Sequence, residues 1–456
     1  MAQLVAREVW DFDAAGSNPV TPTKIAVLTA VEAAGETLRF LFHKSKWRYI
    51  MSVGVCIINR NGIALAADSA GTSPGNKMFY NSMNKVFSLS KKYVYGAITY
   101  GTSSVYNVSI EQLLKEFRTF LDGRDCVDDF FNMLDQFIEF INTKNCYFRF
   151  NTDEFASCNS LIKALVVDWG NKIKSAIADT DPTDKINSIL DAFEADLNDG
   201  IKIENFDVSQ YVKQTYEQLF ETHVSIVVPE LKQYEQQKNR LWDIICNFFN
   251  LSLKRETDNV MGLFFAGYGA NDAFPKYIHL ELYTVIGGQV KYRVLEKFDE
   301  SNHSAKIQPL AQNDVILTFC KGISNYFLNY IPQKAAELIN AKIDTLPATF
   351  TDEQKNFLKT HLSDCKDSLS IAIDTNVQTN NVDPIINSVR LIPLSEMASL
   401  AENLVNITSL RRTYAIDGNQ QTVGGPTDVA VLSKGDGFVW IKRKHYFSRE
   451  LNPNYK

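Results

Sequence analysis

The chain of 456 residues predicts an α+β fold in which short strands and amphipathic helices alternate in blocks. From Ser52 to Tyr100, short apolar runs separated by turn residues indicate successive β-strands. Residues Ser109 to Leu121 carry apolar side chains at helical spacing. Further on, Met261 to Gly269 and Tyr277 to Tyr283 predict two more strands. Strands and helices thus share one chain without the regular βαβ alternation of a parallel sheet.

The last quarter of the chain predicts the elements that complete this fold. Glu396 to Ile407 has the apolar spacing of a helix. Thr422 to Leu432 and then Gly437 to Ile441 predict a closing pair of strands.

The composition indicates a folded protein and gives no reason to expect nucleic acid as a partner. Hydrophobic residues make up 45% and charged residues 22% of the chain, close to the averages for globular domains. The formal charge of −6 gives no basic surface of the kind that nucleic acids attract. The seven cysteines are scattered without a C-x-x-C pair, which indicates reduced thiols, and the six histidines form no cluster with them. We therefore expect neither a metal nor a cofactor.

The sequence also predicts a cytoplasmic protein. It contains no apolar run of about 18 residues, the length that a membrane-spanning helix requires. It shows no signal peptide with a small-residue cleavage site. We expect no association with a membrane.

The most informative segment begins at Ser52. An apolar run, Val53 to Ile58, follows it, then the turn signal Asn59-Arg60-Asn61-Gly62, then a returning run that ends in Ala66-Ala67-Asp68. This hairpin resembles the opening hairpin of proteasome β subunits, which belong to the N-terminal nucleophile hydrolases. In that family the mature chain begins with Thr or Ser. The resemblance implies a four-layer αββα sandwich, with Ser52 as the nucleophile.

Four more residues match the family in order. The resemblance assigns Asp68 to the carboxylate beside the nucleophile, Thr72 to a substrate contact, Lys85 to the catalytic lysine and Gly101 to the residue whose amide faces the oxyanion. Asp68 and Thr72 match the family's spacing from Ser52 without a gap, whereas Lys85, which is followed by Val-Phe, requires about one extra residue. Lys77 is the alternative lysine, but it lacks that Val-Phe.

These residue types form a consistent catalytic group. A serine hydroxyl needs a nearby base at neutral pH, and an α-amine with a pKa of about 7.7–8.0 can serve when the serine is N-terminal. The positive charge of Lys85 would favour the alkoxide, and Asp68 would orient that lysine. The amide of Gly101 would stabilise the oxyanion of the tetrahedral intermediate.

Residues 1–51 precede the predicted nucleophile, and Ser52 has a free amine only without them. Three interpretations are open. Residues 1–51 are an autocleaved propeptide, or they are a genuine domain on an inactive hydrolase, with an amphipathic helix over Thr23 to Trp47. In the third, Met51 is the initiator and the upstream residues are not translated. The third interpretation is favoured, because Ala2-Gln3-Leu4-Val5 and Gly16-Ser17-Asn18-Pro19 are what the D-arm and T-arm consensus sequences of a transfer RNA gene encode in one frame. Methionine aminopeptidase would then expose Ser52.

Residues 52–456 are predicted to form one proteasome-like domain with two enlargements. The first is a helical insertion over about 122–260, with helical spacing at Asp129 to Ile141, Lys185 to Leu197 and Val212 to Leu219. The second covers about 323–390, with turns near Pro332, Pro347 and Asp383-Pro384. The aromatic stripes of the insertion are interpreted as core, not as a binding site.

The C-terminal part departs from the family pattern. In proteasome subunits a Ser precedes the Gly-Gly of the closing strand, and an Asp lies a few residues upstream. Here Val423 takes the place of the Ser and Gln420 that of the Asp, with Asp417 close enough to substitute. The family's Gly-Ser-Gly before its third helix is replaced by Pro309 to Asp314, and its Arg after the hairpin by Ala70.

The resemblance implies a serine-type hydrolase of amide bonds that acts through an acyl-enzyme on Ser52. Its substrate would be a peptide or protein lying as an extra strand beside Thr72 and Gly101. It implies a homo-oligomer, with an ATPase as a candidate partner. Two alternatives remain open: an amidase or acylase for small molecules, and a catalytically inactive scaffold with the same fold.

Overall fold

The computed structural model describes residues 52–72, 79–106, 108–143, 151–178, 181–198, 200–251, 260–302, 305–347, 349–414, 423–445, 447 and 450–451. All of them belong to one compact unit. Residues 1–51, including the predicted helix over Thr23 to Trp47, lie outside this description. The structure combines α-helices with antiparallel sheets, which confirms the α+β prediction.

Fourteen strands are present in the described part of the chain. They are β1 (Val53–Asn59), β2 (Gly62–Ala67), β3 (Gly71–Thr72), β4 (Phe79–Tyr80), β5 (Val86–Ser88), β6 (Tyr95–Gly101), β7 (Ser104–Val105), β8 (Val108–Ser109), β9 (Met261–Gly267), β10 (Lys276–Ile286), β11 (Gln289–Asp299), β12 (Lys306–Ala311), β13 (Asp428–Ser433) and β14 (Gly437–Lys442). Sheet 1 has the order β12-β1-β2-β13-β14, and sheet 2 the order β11-β10-β9-β6-β5. Every pairing in the two sheets is antiparallel.

Twelve α-helices are found among the same residues. They are α1 (Ile110–Asp122), α2 (Met133–Thr143), α3 (Asn151–Ile177), α4 (Pro182–Asn198), α5 (Ser209–Thr215), α6 (Glu217–Val227), α7 (Glu235–Phe248), α8 (Asp314–Lys321), α9 (Asn325–Asp344), α10 (Asp352–Val377), α11 (Asp383–Val389) and α12 (Leu394–Tyr414). Short 3₁₀ turns occur at Phe130–Asn132, Pro229–Gln233 and Glu300–Asn302. Among the described helices, none is both long enough and apolar enough to cross a membrane.

The predicted hairpin is present at β1 and β2. Asn59 pairs with Gly62 and leaves Arg60 and Asn61 as the two loop residues. The Asn59 side chain accepts from the amide of Asn61 (2.8 Å) and donates to the carbonyl of Val389 (2.9 Å). The turn is therefore closed by a local hydrogen bond and anchored to the end of α11.

The inner strands of the two sheets, such as β1, β2, β9 and β13, are buried on both faces. Cys56 and Ile58 of β1 join residues of sheet 2, such as Ile98 and Phe264, in an inner core. The intervening Val53, Val55 and Ile57 pack with α12 and α8 in a second cluster. Because neighbouring residues of a strand point to opposite faces, a strand with two covered faces is apolar throughout.

Sheet 2 is covered on its other face by α1 and α2. Phe265 and Ile278 of the sheet pack with Phe117 of α1 and Phe137 of α2. Helix α1 begins as predicted, with the Ser109 hydroxyl accepting from the amide of Gln112 at 3.2 Å. The first predicted helix of the insertion, α2, therefore belongs with α1 on sheet 2.

The remaining helices of the predicted insertion pack on one another. Trp169 of α3 stacks on Phe193 of α4 at 4.5 Å between ring centroids. Phe220 of α6 stacks on Trp242 of α7 at 4.7 Å. The aromatic stripes are thus buried between helices, which confirms their interpretation as core.

Two predicted turns of the second enlargement are wrong. Pro332 lies inside α9, where it is buried. Asp383-Pro384 begins α11 directly after a π-helical turn, Gln378–Val382, that continues from α10 without a reversal of the chain. A proline lacks the N–H for one helical bond, but packing and a wider turn allow the helix to continue. Pro347 lies between α9 and α10, as predicted.

Candidate active site

The carboxylate of Asp68 is the centre of the candidate site. Asp68 follows β2 and is 1% exposed. Its Oδ1 accepts from the ammonium of Lys85 at 2.6 Å and from the amide of Val53 at 3.0 Å. Its Oδ2 accepts from the amides of Ala70 and Gly424, each at 3.2 Å. With about four lone-pair positions engaged, this carboxylate holds its neighbours in place and is not available to remove a proton from a substrate.

Lys85 connects the two sheets. It precedes β5 in sheet 2, whereas Asp68 follows β2 in sheet 1. The carbonyl of Lys85 accepts from the amide of Thr99 in β6 at 2.9 Å, and the residue is 6% exposed. Burial lowers the pKa of the Lys85 ammonium below its usual value, while the charge and hydrogen bond of Asp68 oppose that change.

Ser52 is fixed through its backbone. Its carbonyl accepts from the amide of Gln312 at 3.1 Å, just beyond β12. On its other side, Val53 both donates to the Asp68 carboxylate and accepts from the Asp68 amide at 3.1 Å. The serine is 4% exposed in the chain as a whole. The residue next to Ser52 in the chain is therefore hydrogen-bonded directly to the carboxylate that holds Lys85.

The alternation of β1 places the Ser52 side chain toward sheet 2. Ser52 shares its face of the strand with Gly54 and Cys56, since side chains alternate. A Cβ on Gly54 would lie 3.2 Å from the Ile98 side chain of β6. Ser52 accordingly faces the space between the sheets, not the helices.

Gly101 ends β6 at the end of the strand that lies toward Ser52. Ile98 of β6 faces Gly54, whereas Gly96 faces Leu65, which pairs with Cys56 further along β1. Following β6 toward Gly101 therefore leads toward Ser52. Gly101 has a φ of 81°, and a Cβ there would lie 2.3 Å from the carbonyl oxygen of Val260. Both facts require glycine.

The other two predicted site residues are less fully described. Thr72 lies in β3, paired with Phe79, and its side chain is outside the description. Asp417 lies outside the described residues. The departing residue Val423 is buried in the cluster between sheet 1 and its helices. Its neighbour Gly424 nevertheless contacts Asp68, so the closing segment reaches the site through backbone.

The structure adds residues that the sequence did not indicate. Gln312 fixes Ser52, and its own Oε1 accepts from Arg412 of α12 at 2.9 Å. Ala311 before it adopts a φ of 64°, unusual for a residue with a Cβ. The only sequence signal was the absence of the family's glycines between Pro309 and Asp314.

A tyrosine beside Gly101 is also in a fixed position. The Tyr100 hydroxyl lies 2.5 Å from Nε2 of His279, and a Cβ on Gly262 would overlap the Tyr100 ring. Burial lowers the pKa of His279 to about 4, so the imidazole is neutral near pH 7. The glycine of β9 thus allows a rigid Tyr–His pair next to the end of β6.

In the described part of the chain, no group of three or more His, Cys, Asp or Glu side chains is arranged to hold a metal ion. Comparison with known protein families gave no match, and neither did comparison with curated protein sequences. The site is therefore interpreted from its own geometry.

Proposed function

We propose that the protein is an N-terminal serine hydrolase that cleaves amide bonds, in particular those of peptides, through an acyl-enzyme on Ser52. One observation carries this proposal: a single buried carboxylate, Asp68, joins the Lys85 ammonium to the amide next to Ser52. A serine, a lysine and an orienting carboxylate in one buried place form an arrangement suited to nucleophilic catalysis.

The layering of the structure supports a four-layer αββα sandwich. One apolar cluster combines residues of both sheets. A second combines sheet 1 with α8 and α12, and a third combines sheet 2 with α1 and α2. These clusters support the order helices, sheet, sheet, helices that the resemblance to proteasome β subunits implies.

The chemistry begins when Ser52 is the first residue of the chain. Its α-amine, with a pKa near 8 in the absence of perturbation, takes the proton of the Ser52 hydroxyl as Oγ bonds to the carbonyl carbon of the substrate. The oxyanion faces the Gly101 amide, and Lys85 adds positive charge. The C–N bond then breaks, the proton passes to the leaving amine, and an ester remains on Ser52. Water hydrolyses that ester with the same amine as base.

Each group has an expected contribution. General-base catalysis is worth about 10²–10⁴ in rate, and one oxyanion donor about 10²–10³.

In the chain of 456 residues, the nitrogen of Ser52 is an amide bonded to Met51 and cannot act as the base. Release of Ser52 is therefore the condition for activity.

The test uses a chain expressed from Met51, with the start at Ser52 verified by intact mass. An electrophilic acylating probe is expected to label Ser52 alone, and a panel of peptides and small amides to identify the substrate class. Ser52→Ala should abolish labelling and lower hydrolysis by at least about 10³. Ser52→Thr should retain both. The control is Ser188→Ala, which changes an exposed serine of α4 whose hydroxyl donates to the backbone carbonyl of Asp184.

A folded protein that starts at Ser52 yet neither reacts with the probe nor cleaves any member of the panel would overturn the proposal. The inactive scaffold would then be the better interpretation, and the burial of Val423 in place of a serine favours it. Preferential cleavage of small amides over peptides would instead indicate the amidase. A homo-oligomer and an ATPase partner are parts of the peptidase proposal that scattering and co-purification would test.

A further inference from the structure

A second buried ion pair lies beside Lys85, and the proposed chemistry does not use it. The ammonium of Lys444, just after β14, contacts Oδ2 of Asp428. The Lys444 amide donates to Oδ1 of the same carboxylate at 2.9 Å. The two side chains are 11% and 3% exposed. Asp428 therefore fixes Lys444 through two contacts, in a place largely closed to water.

The sheet register brings this pair to the candidate site. Asp428, the first residue of β13, pairs with Ala67 of β2, and Asp68 follows directly. The two carboxylates thus end neighbouring strands at the same edge of sheet 1. Burial is the largest cause that lowers the pKa of Lys85, and the positive charge of Lys444 lowers it further.

The charged groups around Lys85 and Lys444 come from four elements. Asp68 after β2 and Lys444 after β14 act on Lys85 directly. Asp428 of β13 pairs with Lys444, and Glu111 of α1 interacts with Lys444 and accepts from Asn84, the neighbour of Lys85, at 3.0 Å. Glu111 also pairs with Lys115 at 2.6 Å on the exposed side. Lys444 is thus the second buried cation of the cluster.

We propose that Lys444, held by Asp428, is a positioning residue that sets the electrostatic field around Lys85 and Ser52 and thereby the pH at which Ser52 becomes a nucleophile. This inference depends on the proposed function for its catalytic consequence. A cation near the Ser52 amine disfavours its protonated form, so the free base is present at a lower pH.

Two substitutions should move the pH dependence in opposite directions. Lys444→Met removes a positive charge, raises the pKa of the amine and of Lys85, and shifts the acidic limb of the kcat/KM profile to higher pH by about one unit. Asp428→Asn leaves Lys444 uncompensated and shifts that limb to lower pH. Lys444→Arg keeps the charge and should restore the wild-type profile.

The matched control is Lys442→Met. Lys442 forms an ion pair with Glu402, but it is 54% exposed and two residues from Lys444. Ion pairs exposed to water in this way interact weakly, so the loss of Lys442 should not change the charge that acts on Lys85. Its profile should overlay that of the wild type.

A readout independent of activity follows the Lys85 side chain. In protein labelled with ¹³C at lysine Cε, the Lys85 resonance is assigned with Lys85→Met and titrated by NMR. Its titration should move up in Lys444→Met and down in Asp428→Asn. If the resonance moves but no variant hydrolyses amides, the proposed function fails and the electrostatic role stands. Unmoved titrations and profiles in folded variants would overturn the inference.

Discussion

At the scale of single residues, the backbone of Gly101 links the stability of the protein to the proposed catalysis. Its φ of 81° lies in the left-handed region, and a Cβ on it would overlap the carbonyl oxygen of Val260. Gly288, in the turn between β10 and β11, has a similar φ of 77°, but a Cβ there would have no described atom within 4 Å. The two glycines therefore separate backbone strain from steric overlap.

We expect Gly101→Ala to destabilise the protein by about 3 kcal/mol or more and Gly288→Ala by about 1 kcal/mol. The excess at Gly101 reflects displacement of Val260, just before β9, which should also move the amide that faces the oxyanion. Urea unfolding measures both free energies. Equal values for the two variants would show that the contact with Val260 has no energetic weight.

At the scale of elements, one carboxylate attaches the helical segment to sheet 2. Glu154 of α3 accepts from the hydroxyls of Tyr211 and Tyr216 at 2.9 and 2.8 Å. Its other oxygen accepts from the amide of Gly287, in the β10–β11 turn, at 3.2 Å. A glutamate near the start of a helix thus links α3, α5 and the turn of a distant hairpin.

Glu154→Ala should cost about 2–4 kcal/mol, because it leaves a buried Tyr216 hydroxyl and a turn amide without their acceptor. In native-state hydrogen exchange, the variant should exchange faster than the wild type in α3 to α7, with a smaller increase in β9 and β10. The control is Glu221→Ala in α6, which removes a more exposed pair with Lys238 and should cost below about 1 kcal/mol. Unchanged exchange in the helices would contradict the role of Glu154.

For the molecule as a whole, the interpretation of residues 1–50 as an untranslated upstream extension has a consequence for stability. If it is correct, the functional protein folds without them, and a chain that begins at Met51 should unfold within about 2 °C of the 456-residue chain. Differential scanning calorimetry of both forms measures this. A large loss in the shorter chain would show that residues 1–50 contribute to the fold, and would favour the interpretation of a genuine N-terminal domain.

Local patterns predict many of the elements, although the helix expected over Val212 to Leu219 is divided at Tyr216 into α5 and α6. The two-residue turn at Arg60-Asn61, the helix capped by Ser109 and the closing strands β13 and β14 all follow from spacing and turn chemistry. Such features depend on neighbours within a few residues. The turn predicted at Pro332 is wrong because a local rule for proline does not include the packing that keeps α9 continuous.

The candidate site is predicted in part, through its resemblance to a family. Asp68 and Lys85, which are 17 residues apart, form the expected ion pair. No local pattern indicates that Gln312 would fix Ser52 or that Lys444 would lie beside Lys85. Lys444 is one member of a basic run, Lys442-Arg443-Lys444, and its burial distinguishes it from Lys442.

By itself, then, the sequence determined the types of many elements, the hairpin that begins at Ser52 and the residues that chemistry would require. Only the tertiary structure decided which of them meet. The Gly424 amide reaches Asp68 from 356 positions away, and Asp428 comes beside it because β13 pairs with β2. Contacts of this kind depend on the burial of two sheets against each other, a cooperative free energy spread over the whole core that no short window of residues contains.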